Sequence, residues 1–415
     1  MTHILDLTQS LADRFYHEGI GFEEMGRLDE AMHAFERAVQ AKRTHAAARI
    51  ALAYHCRRLD RIDKAVAHSK AAVVTEPGAE AYFTLGHMLT ASHEYENALA
   101  ALRRCLELDP SYEQARYQIA FVYYLKGEYD VAITEFHRAA QHEPDWETLF
   151  FLGECYRMTR RPAEAERIFR RALNMASSWG QVEITRGQLR ACQRLTEFPP
   201  HVSLSIKDRA YSDCGIVYLG TRADDGLNIP PYLFFRYEYV DIAHTLYRFL
   251  ALAEAQGWTW DAVMPVDIIS LPLALALASS FGTGTEPLKE GKTLVVQALG
   301  ETVEGLQDAT ERLNYASTFC LLACWPEEWR PDFVGVVTPL VGSLPWYRTS
   351  TLSHLRLALA GDQNSRPPSR EIWQDPRPPE VIARDILTAL ANIADEPTLP
   401  AQLEYYQQHQ RLRWL

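Results

Sequence analysis

The sequence lacks any apolar run of membrane-spanning length, any excess of basic residues and any N-terminal signal-peptide pattern. A transmembrane helix needs about 20 consecutive apolar residues, so we expect no membrane insertion. The chain carries 42 Lys+Arg against 54 Asp+Glu, a net charge of −12. This balance disfavours binding to nucleic-acid phosphates, which depends on clustered basic side chains. Together these features predict a cytoplasmic protein without nucleic-acid or membrane partners.

Metal-binding and catalytic signatures are also missing. The seven cysteines include no Cys-x-x-Cys pair, and no two of the 14 histidines are spaced as His-x-x-x-His, so the usual zinc signatures do not occur. Cys320 and Cys324 fall in one predicted strand without further partners. Neither a nucleophile elbow nor a phosphate-loop motif is found. We therefore expect no metal, no cofactor and no catalytic residue set.

The first ~180 residues contain one helical-hairpin pattern five times, at the spacing of about 34 residues that is known from repeat proteins. Positions that we number 8, 20 and 27 of each unit hold small residues, where two helices must approach closely. Position 24 is large and apolar in four units and Ser69 in the second, and Pro ends the three middle units, as a helix terminator does. The small residues are Gly19, Ala31 and Ala38; Ala53, Ala65 and Ala72; Gly86, Ala98 and Cys105; Ala120, Ala132 and Ala139; Gly153, Ala165 and Ala172.

This spacing resembles the tetratricopeptide repeat (TPR), a helix–turn–helix unit that stacks into solenoids and binds proteins. The resemblance implies an α-solenoid of five TPR helix pairs across residues 12–178. A capping helix is expected near 181–196, within a first domain of residues 1–197. An unrelated array of amphipathic helices is the alternative.

The first helix of each unit is expected to line the concave face of the solenoid. Its exposed positions 5, 9 and 12 are rich in aromatic residues, which often anchor binding surfaces. We therefore predict a groove for a protein or peptide partner; the alternative is that the same rings pack on neighbouring helices or on the second domain. Lys and Asn at positions 5 and 9, which clamp C-terminal carboxylates in one TPR subfamily, are absent here. The predicted groove residues are Tyr16, Ile50, Tyr54, Phe83, His87, Tyr117, Phe121, Tyr124 and Phe150.

Beyond Pro200, short β-rich runs alternate with helical stretches. This alternation is typical of a mainly parallel sheet covered on both faces, so we predict an α/β domain after the solenoid. The predicted strands are 215–219, 232–239, 262–266, 293–296, 318–325 and 333–337, and the predicted helices are 240–256, 271–281 and 303–314.

Two segments of this domain resemble type I phosphoribosyltransferases. One is the apolar stretch 271–278 after a strand, and the other is the run 291–302, a strand that leads into a helix. The resemblance covers roughly residues 205–350 and implies a phosphoribosyltransferase-like domain at 201–360. The positions that would form its phosphoribosyl site are Gln297, Ala298, Glu301, Thr302 and Gly305.

The departures from that family affect every part of the expected site. Paired acids bind the ribose hydroxyls in the family, but Gln297 and Ala298 stand in their place, and Glu301 would repel a phosphate. The loop 267–270 lacks the basic residue and glycines of a pyrophosphate loop, and the connection 283–290 is too short for a lid.

These losses favour a catalytically inactive domain, a pseudoenzyme within an interaction scaffold. Two alternatives remain open: a sensor that still binds a nucleotide in the old crevice, and an active phosphoribosyltransferase with altered motifs.

The last segment, residues 361–415, begins with a stretch rich in Pro, Arg and Ser and is predicted to be a linker. Two helices are expected after it, near 379–394 and 399–411. The final residues are unusually apolar, so we expect them to dock on the α/β domain, on the repeats or on a second copy, which leaves a homo-oligomer open. The apolar residues concerned are Tyr405, Tyr406, Leu412, Trp414 and Leu415.

Overall fold

The computed structural model of the chain describes residues 2–141, 144–288, 290–300, 304–311, 313, 316–324, 331–338, 342–349 and 372–407. The chain divides into two compact units, Met1–Leu189 and Arg190–Leu415. Over the described ranges, no helix is both long enough and apolar enough to cross a bilayer.

The first unit is a helical solenoid built from helix pairs, which confirms the predicted TPR architecture. Each helix packs most extensively on its pair partner and next on the neighbouring pair. A further helix, α11 (Trp179–Leu195), follows the fifth pair and contains the boundary between the two units. The pairs are α1 (Thr2–Glu24) with α2 (Leu28–Ala41), α3 (Ala46–Arg58) with α4 (Ile62–Thr75), α5 (Ala79–Ala91) with α6 (Tyr95–Leu108), α7 (Glu113–Leu125) with α8 (Tyr129–Ala139), and α9 (Trp146–Met158) with α10 (Pro162–Met175).

Close approach within a pair depends on the small residue at position 8. A Cβ atom added to Gly86 would lie 2.5 Å from Cγ of Leu102, the large residue at position 24 of the same repeat. The sequence pattern of small and large residues therefore corresponds to a direct packing contact. The same contact joins Gly19 to Phe35 and Gly153 to Phe169.

The turn inside every pair contains one residue in the left-handed backbone region. These five residues all occupy position 15 of the repeat, with φ between 56° and 75°. Two are glycines, which adopt this conformation without strain, whereas the other three carry side chains. The residues are Gly26, Asp60, His93, Gly127 and Arg160.

The second unit contains a five-stranded parallel sheet, as predicted, with the strand order β1-β5-β4-β3-β2. Its first and second strands in sequence thus lie at opposite edges. A separate antiparallel pair joins β6 (Tyr347–Thr349) to β7 (Ile372–Gln374). The sheet strands are β1 (Val217–Tyr218), β2 (Ala262–Pro265), β3 (Thr293–Gly300), β4 (Ala316–Cys324) and β5 (Phe333–Thr338).

Helices cover both faces of this sheet. One buried cluster joins alternate strand residues such as Val263 to Phe249, Leu273 and Ile386, and a second cluster lies on the opposite face around Leu306. The helices are α12 (Ile206–Cys214), α13 (Tyr239–Gln256), α14 (Leu271–Phe281), α15 (Glu304–Glu311), α16 (Pro379–Ala391) and α17 (Leu399–Gln407).

The prediction of a strand at 232–239 is wrong. Among the described residues, this segment forms one isolated bridge, between Arg236 and Ser343, and then enters α13. The helix begins there because the Asp241 carboxylate accepts a hydrogen bond from the Glu238 N–H at 3.0 Å, which satisfies a free backbone donor at the helix start.

The C-terminal helices dock within the second unit. Helix α16 packs against α13 and α14, and both Ile386 and Tyr406 are fully buried in the main cluster. Of the three docking surfaces that the sequence leaves open, residues 372–407 use the α/β domain. Leu412, Trp414 and Leu415 lie outside the described residues.

Candidate partner-binding groove

A groove of about 710 Å³ runs across the first helices of the second to fifth repeats. We call it the central groove. Four of the predicted groove residues line it, namely Phe83, His87, Tyr117 and Phe121, and each is half-buried. The other lining residues are Arg57, Thr90, Ala91, His93, Glu113, Gln114, Gln118, Leu125, Ala139, Asp145, Glu147 and Thr148.

The aromatic rings of the central groove stack on one another. Phe83 and His87 lie 6.0 Å apart at an interplanar angle of 19°. Tyr117 and Phe121 lie 6.0 Å apart at 12°, and Tyr124 continues the row at 6.0 Å from Phe121. Stacking fixes the orientation of each ring while part of its surface stays exposed. The groove therefore offers a preformed aromatic floor.

The remaining predicted residues lie beside or outside this floor. Tyr54 is half-buried, and its ring lies 6.0 Å from that of His87. Tyr16 packs against the Phe35 ring, and Phe150 stacks on Trp146 at 4.9 Å. These two rings do not line the central groove.

Ile50 differs from the other predicted residues, because only 9 % of its surface is exposed. Its side chain packs with Ala72 and Ala81 inside the solenoid. Ile50 therefore presents little surface to a partner, unlike the half-buried rings of the groove.

The two edges of the central groove carry opposite charges. Glu113, Asp145 and Glu147 lie at the N-terminal ends of α7 and α9, where the helix dipole favours negative side chains. On the opposite edge, Arg57 lies in the last turn of α3. Because the first helices of successive repeats run in the same direction, one edge is acidic and the other is basic.

Hydrogen bonds hold charged groups at both edges. The Tyr117 hydroxyl donates to Glu147 Oε1 at 2.7 Å, and burial with this carboxylate raises the pKa of Tyr117. On the other side, Arg57 Nη1 donates to His87 Nε2 at 2.6 Å. Burial and the guanidinium lower the pKa of His87, so its imidazole is neutral near pH 7.

The acidic edge was not identified from the sequence. Its signal is the occurrence of glutamate at positions 1 and 2 of the repeat, seen in Glu80, Glu113 and Glu147. Arg57, on the opposite edge, occupies position 12 of the second repeat, one of the exposed positions predicted to line the groove. Among the residues with described side chains, no group of three metal-ligating residues is present.

In the second unit, two positions of the expected phosphoribosyl site are buried. Strand β3 extends to Gly300, four residues beyond its predicted end, so Gln297 and Ala298 lie inside the strand. Ala298 is fully buried and Gln297 is 4 % exposed. On α15, a Cβ added to Gly305 would lie 3.1 Å from Val266. The two other expected residues, Glu301 and Thr302, lie outside the described residues.

The start of α14 is occupied by a carboxylate of the chain itself. Asp267 Oδ1 accepts hydrogen bonds from the backbone N–H and the hydroxyl of Ser270, both at 2.7 Å. Ser270 Oγ in turn accepts from the Ala298 N–H at 2.9 Å. An N-terminal helix end commonly binds phosphate through such donors, but here Asp267 uses one of them.

The connection between α14 and β3 lies at the other end of the sheet. Val263 N–H donates to the Gly284 carbonyl at 2.9 Å, and Lys292 N–H donates to Asp261 Oδ2 at 2.8 Å. These bonds attach the connection to the amino end of β2 and β3. Ser270 follows the carboxyl end of β2, so the connection and Ser270 lie at opposite ends of the sheet.

Comparison with known families identifies the repeats. Profiles of tetratricopeptide-repeat families match residues 16–81 and 112–178, and a profile described as TPR repeat matches residues 86–127. Residues 16–178 therefore consist of tetratricopeptide repeats. No curated protein sequence matches the chain.

Several solved structures are similar to part of this chain. TTC0263, a thermophilic TPR protein of Thermus thermophilus, is 25% identical and covers 43% of this chain and 98% of its own, with a TM-score of 0.38. YrrB, described as a TPR protein with an unusual peptide-binding site, is 16% identical, covers 41% and 90%, and has a TM-score of 0.35. MamA of Desulfovibrio magneticus is 16% identical, covers 40% and 94%, and has a TM-score of 0.37.

Proposed function

We propose that this chain is a cytoplasmic protein–protein interaction scaffold or adaptor, and that its central groove binds a helical or extended segment of a partner protein. The observation that carries the proposal is the pair of ring stacks, Phe83 with His87 and Tyr117 with Phe121, whose half-buried rings line the groove of about 710 Å³. Covering these rings with a partner segment is favourable in free energy, because aromatic side chains bury large apolar areas.

Recognition would depend on apolar side chains of the partner that insert between the rings. Tyr117 and Phe121 are held in place by stacking, so little side-chain entropy is lost on binding. Phe83 and His87 form the second half of the same floor. Preorganised aromatic anchors of this kind supply most of the binding free energy in many interfaces.

The direct test replaces Phe83 and Tyr117 with Ala in the full chain. We expect this variant to lose most of its capture of co-purifying proteins, with an unchanged helical circular dichroism spectrum. The matched control replaces Phe15 and Tyr123, two half-buried rings that do not line the central groove. Phe15 lies under the Arg37 guanidinium at 3.9 Å, and Tyr123 bonds Arg103.

A photo-crosslinking residue at Phe121 locates the contact itself. The expected product is a covalent adduct between this position and one segment of a captured partner. Full capture by the Phe83→Ala/Tyr117→Ala variant, together with no adduct at Phe121, would show that the groove is not the binding site.

We further propose that the second unit contains a catalytically inactive phosphoribosyltransferase-like domain, spanning residues 201–360, that supplies a further contact surface. Three observations support inactivity. Gln297 and Ala298 offer no carboxylates to ribose hydroxyls, and both are buried. Asp267 occupies donors at the start of α14. The connection at Gly284 is bonded to the opposite end of the sheet.

A further inference from the structure

We propose that the segment bound in the central groove carries a Lys or Arg beside its apolar anchor, and that this basic side chain binds between Glu113 and Glu147. The inference depends on the proposed function of the groove and adds the chemistry of the partner. It follows from the order of groups across the groove, which runs from carboxylates through aromatic rings to a guanidinium.

The acidic edge is continuous with the aromatic floor. Three carboxylates, those of Glu113, Asp145 and Glu147, line the same groove as the ring of Tyr117. The Tyr117 hydroxyl donates to Glu147 Oε1 at 2.7 Å, so this carboxylate lies at the end of the ring. Asp145 Oδ1 is held by the Thr148 N–H at 2.7 Å.

A long basic side chain matches this arrangement. Lys and Arg have apolar stems that cover apolar surface while the charged head reaches polar groups. With its stem against the Tyr117 ring, such a side chain places its cation near Glu147 and Glu113. Contact of a cation with an aromatic face adds further attraction. A neutral polar side chain would make weaker contacts with both the ring and the carboxylates.

Nearby carboxylates help to raise the pKa values of three tyrosines of the solenoid. Glu147 and Asp145 add to burial in raising the pKa of Tyr117. Glu80, at position 2 of the third repeat, contributes in the same direction to the raised pKa values of Tyr54 and Tyr112, after burial. Negative charge therefore continues along the acidic edge, and a partner with acidic residues at this edge would be repelled.

The charge of the chain also distinguishes between possible occupants. With a net charge of −12, a second copy of the chain is on average repelled by the acidic edge. A basic segment of a different protein is attracted. The proposal therefore commits to a heterologous partner segment with apolar and basic residues next to one another.

The test measures binding of three labelled peptides to the full chain by fluorescence anisotropy. All share one Leu-x-x-Trp-Leu anchor, and their variable positions are Arg, Gln or Glu. We expect the Arg peptide to bind roughly three- to tenfold more tightly than the Gln peptide, as expected for two partly exposed ion pairs. The preference should shrink at high salt, because exposed charges are screened.

Two variants assign the preference to the acidic edge. Glu113→Gln with Glu147→Gln should reduce the ratio of the dissociation constants of the Gln and Arg peptides to about one. The matched control, Glu107→Gln with Glu135→Gln, changes two acids on the second helices of the third and fourth repeats and should keep the full ratio. Glu113 and Glu147 are exposed, so their neutral replacements should fold normally.

The outcomes separate this inference from the proposed function. If all three peptides bind equally well, and binding is lost in Phe83→Ala/Tyr117→Ala, the groove binds peptides and the charge inference is wrong. The same conclusion holds if the Arg preference survives Glu113→Gln/Glu147→Gln. If no peptide binds, or if binding survives the loss of Phe83 and Tyr117, the proposed function of the groove fails as well.

Discussion

The hydroxyl of Tyr406 accepts a hydrogen bond from the Tyr218 N–H at 3.0 Å and donates one to the Tyr218 carbonyl at 3.1 Å. Tyr218 lies in β1, the edge strand of the parallel sheet. On the inner side, the Val217 and Leu219 N–H groups donate to the carbonyls of Asp332, just before β5, and of Val334 in β5. A side chain from α17 thus satisfies the outward-facing backbone groups of an edge strand. Such edges otherwise pair readily with other chains.

Replacing Tyr406 with Phe should destabilise the second unit by about 1–3 kcal/mol, because it leaves a buried N–H and a buried carbonyl unsatisfied. The ring and its packing are kept. Differential scanning calorimetry of the full chain measures the change. Tyr405→Phe is the matched control: it removes a hydrogen bond from a half-buried ring to Asp208, and we expect a smaller loss. Equal melting temperatures for Tyr406→Phe and the wild type would contradict the edge-capping role.

A second contact of the C-terminal segment is a buried ion pair. Arg248 Nη2 lies 3.0 Å from Glu396 Oε1, and both side chains are at most 3 % exposed. His244 binds the second oxygen of Glu396, and Thr398 donates to the first at 2.6 Å. These hydrogen bonds and the guanidinium lower the pKa of Glu396 to about 2, against the opposing effect of burial.

This pair makes stability depend on pH. The lowered pKa means that Glu396 stabilises the fold above its unfolded value near 4.5, and that this contribution is lost as the pH falls from there towards 2. At neutral pH, Glu396→Gln should cost about 1–3 kcal/mol, since Arg248 loses the carboxylate at 3.0 Å and keeps only the more distant Asp224 at 3.8 Å. Asp224 nearby has a raised pKa because of burial, so acidification favours the fold at that residue.

Urea unfolding of the wild type and of Glu396→Gln at several pH values checks this prediction. Comparing the two proteins cancels the contribution of carboxylates that lie far from Glu396. The difference in unfolding free energy should be largest near neutral pH and should narrow below about pH 4.5. A difference that stays constant down to about pH 3 would mean that Glu396 has no lowered pKa.

The sequence predicts the solenoid well because its packing rules are local. Each close contact joins residues 16 positions apart in one repeat, as Gly86 and Leu102 show, and the same contact recurs along the chain. The acidic edge follows a different rule. It consists of exposed residues, Glu113 and Glu147, that no core contact requires, so only their repetition at positions 1 and 2 could have revealed them.

The second unit is harder to predict because its decisive contacts are long-range. A strand was expected at 232–239 from its aromatic residues, yet Tyr237 and its neighbours lead into a helix that Asp241 caps. Similarly, Arg248 meets Glu396 across 148 positions of sequence. No periodic pattern encodes such a pair, so the docking of the C-terminal helices was left open between three surfaces.

The contact between Gly86 and Leu102 predicts that the effect of Gly86→Ala on stability depends on the size of residue 102. Gly86→Ala should destabilise the solenoid by roughly 1–2 kcal/mol, since overpacking of a buried site exceeds the gain in helix propensity. In a Leu102→Ser background the same substitution should become neutral or stabilising. The second repeat already combines Ala53 with Ser69 at these two positions.

Thermal unfolding of the four proteins gives the coupling free energy between the two sites. Gly21→Ala is the control, because Gly21 also lies within a helix but has no atom near the site of a new Cβ. It should be neutral or stabilising by up to about 1 kcal/mol. Additive effects of Gly86→Ala and Leu102→Ser would show that the two residues do not limit each other's size.

The proposed inactivity of the second unit is tested with phosphoribosyl pyrophosphate and magnesium. Calorimetry should detect no tight binding, because ribose recognition needs carboxylates and Gln297 and Ala298 provide none. Restoring an acid by Ala298→Asp should lower stability instead of creating a site, since this side chain is fully buried and an unpaired buried charge is costly. A second variant, Gln297→Glu, should likewise show no detectable binding of phosphoribosyl pyrophosphate. A micromolar dissociation constant for the wild-type protein, or pyrophosphate release in the presence of a nucleobase, would instead assign it the activity of a phosphoribosyltransferase.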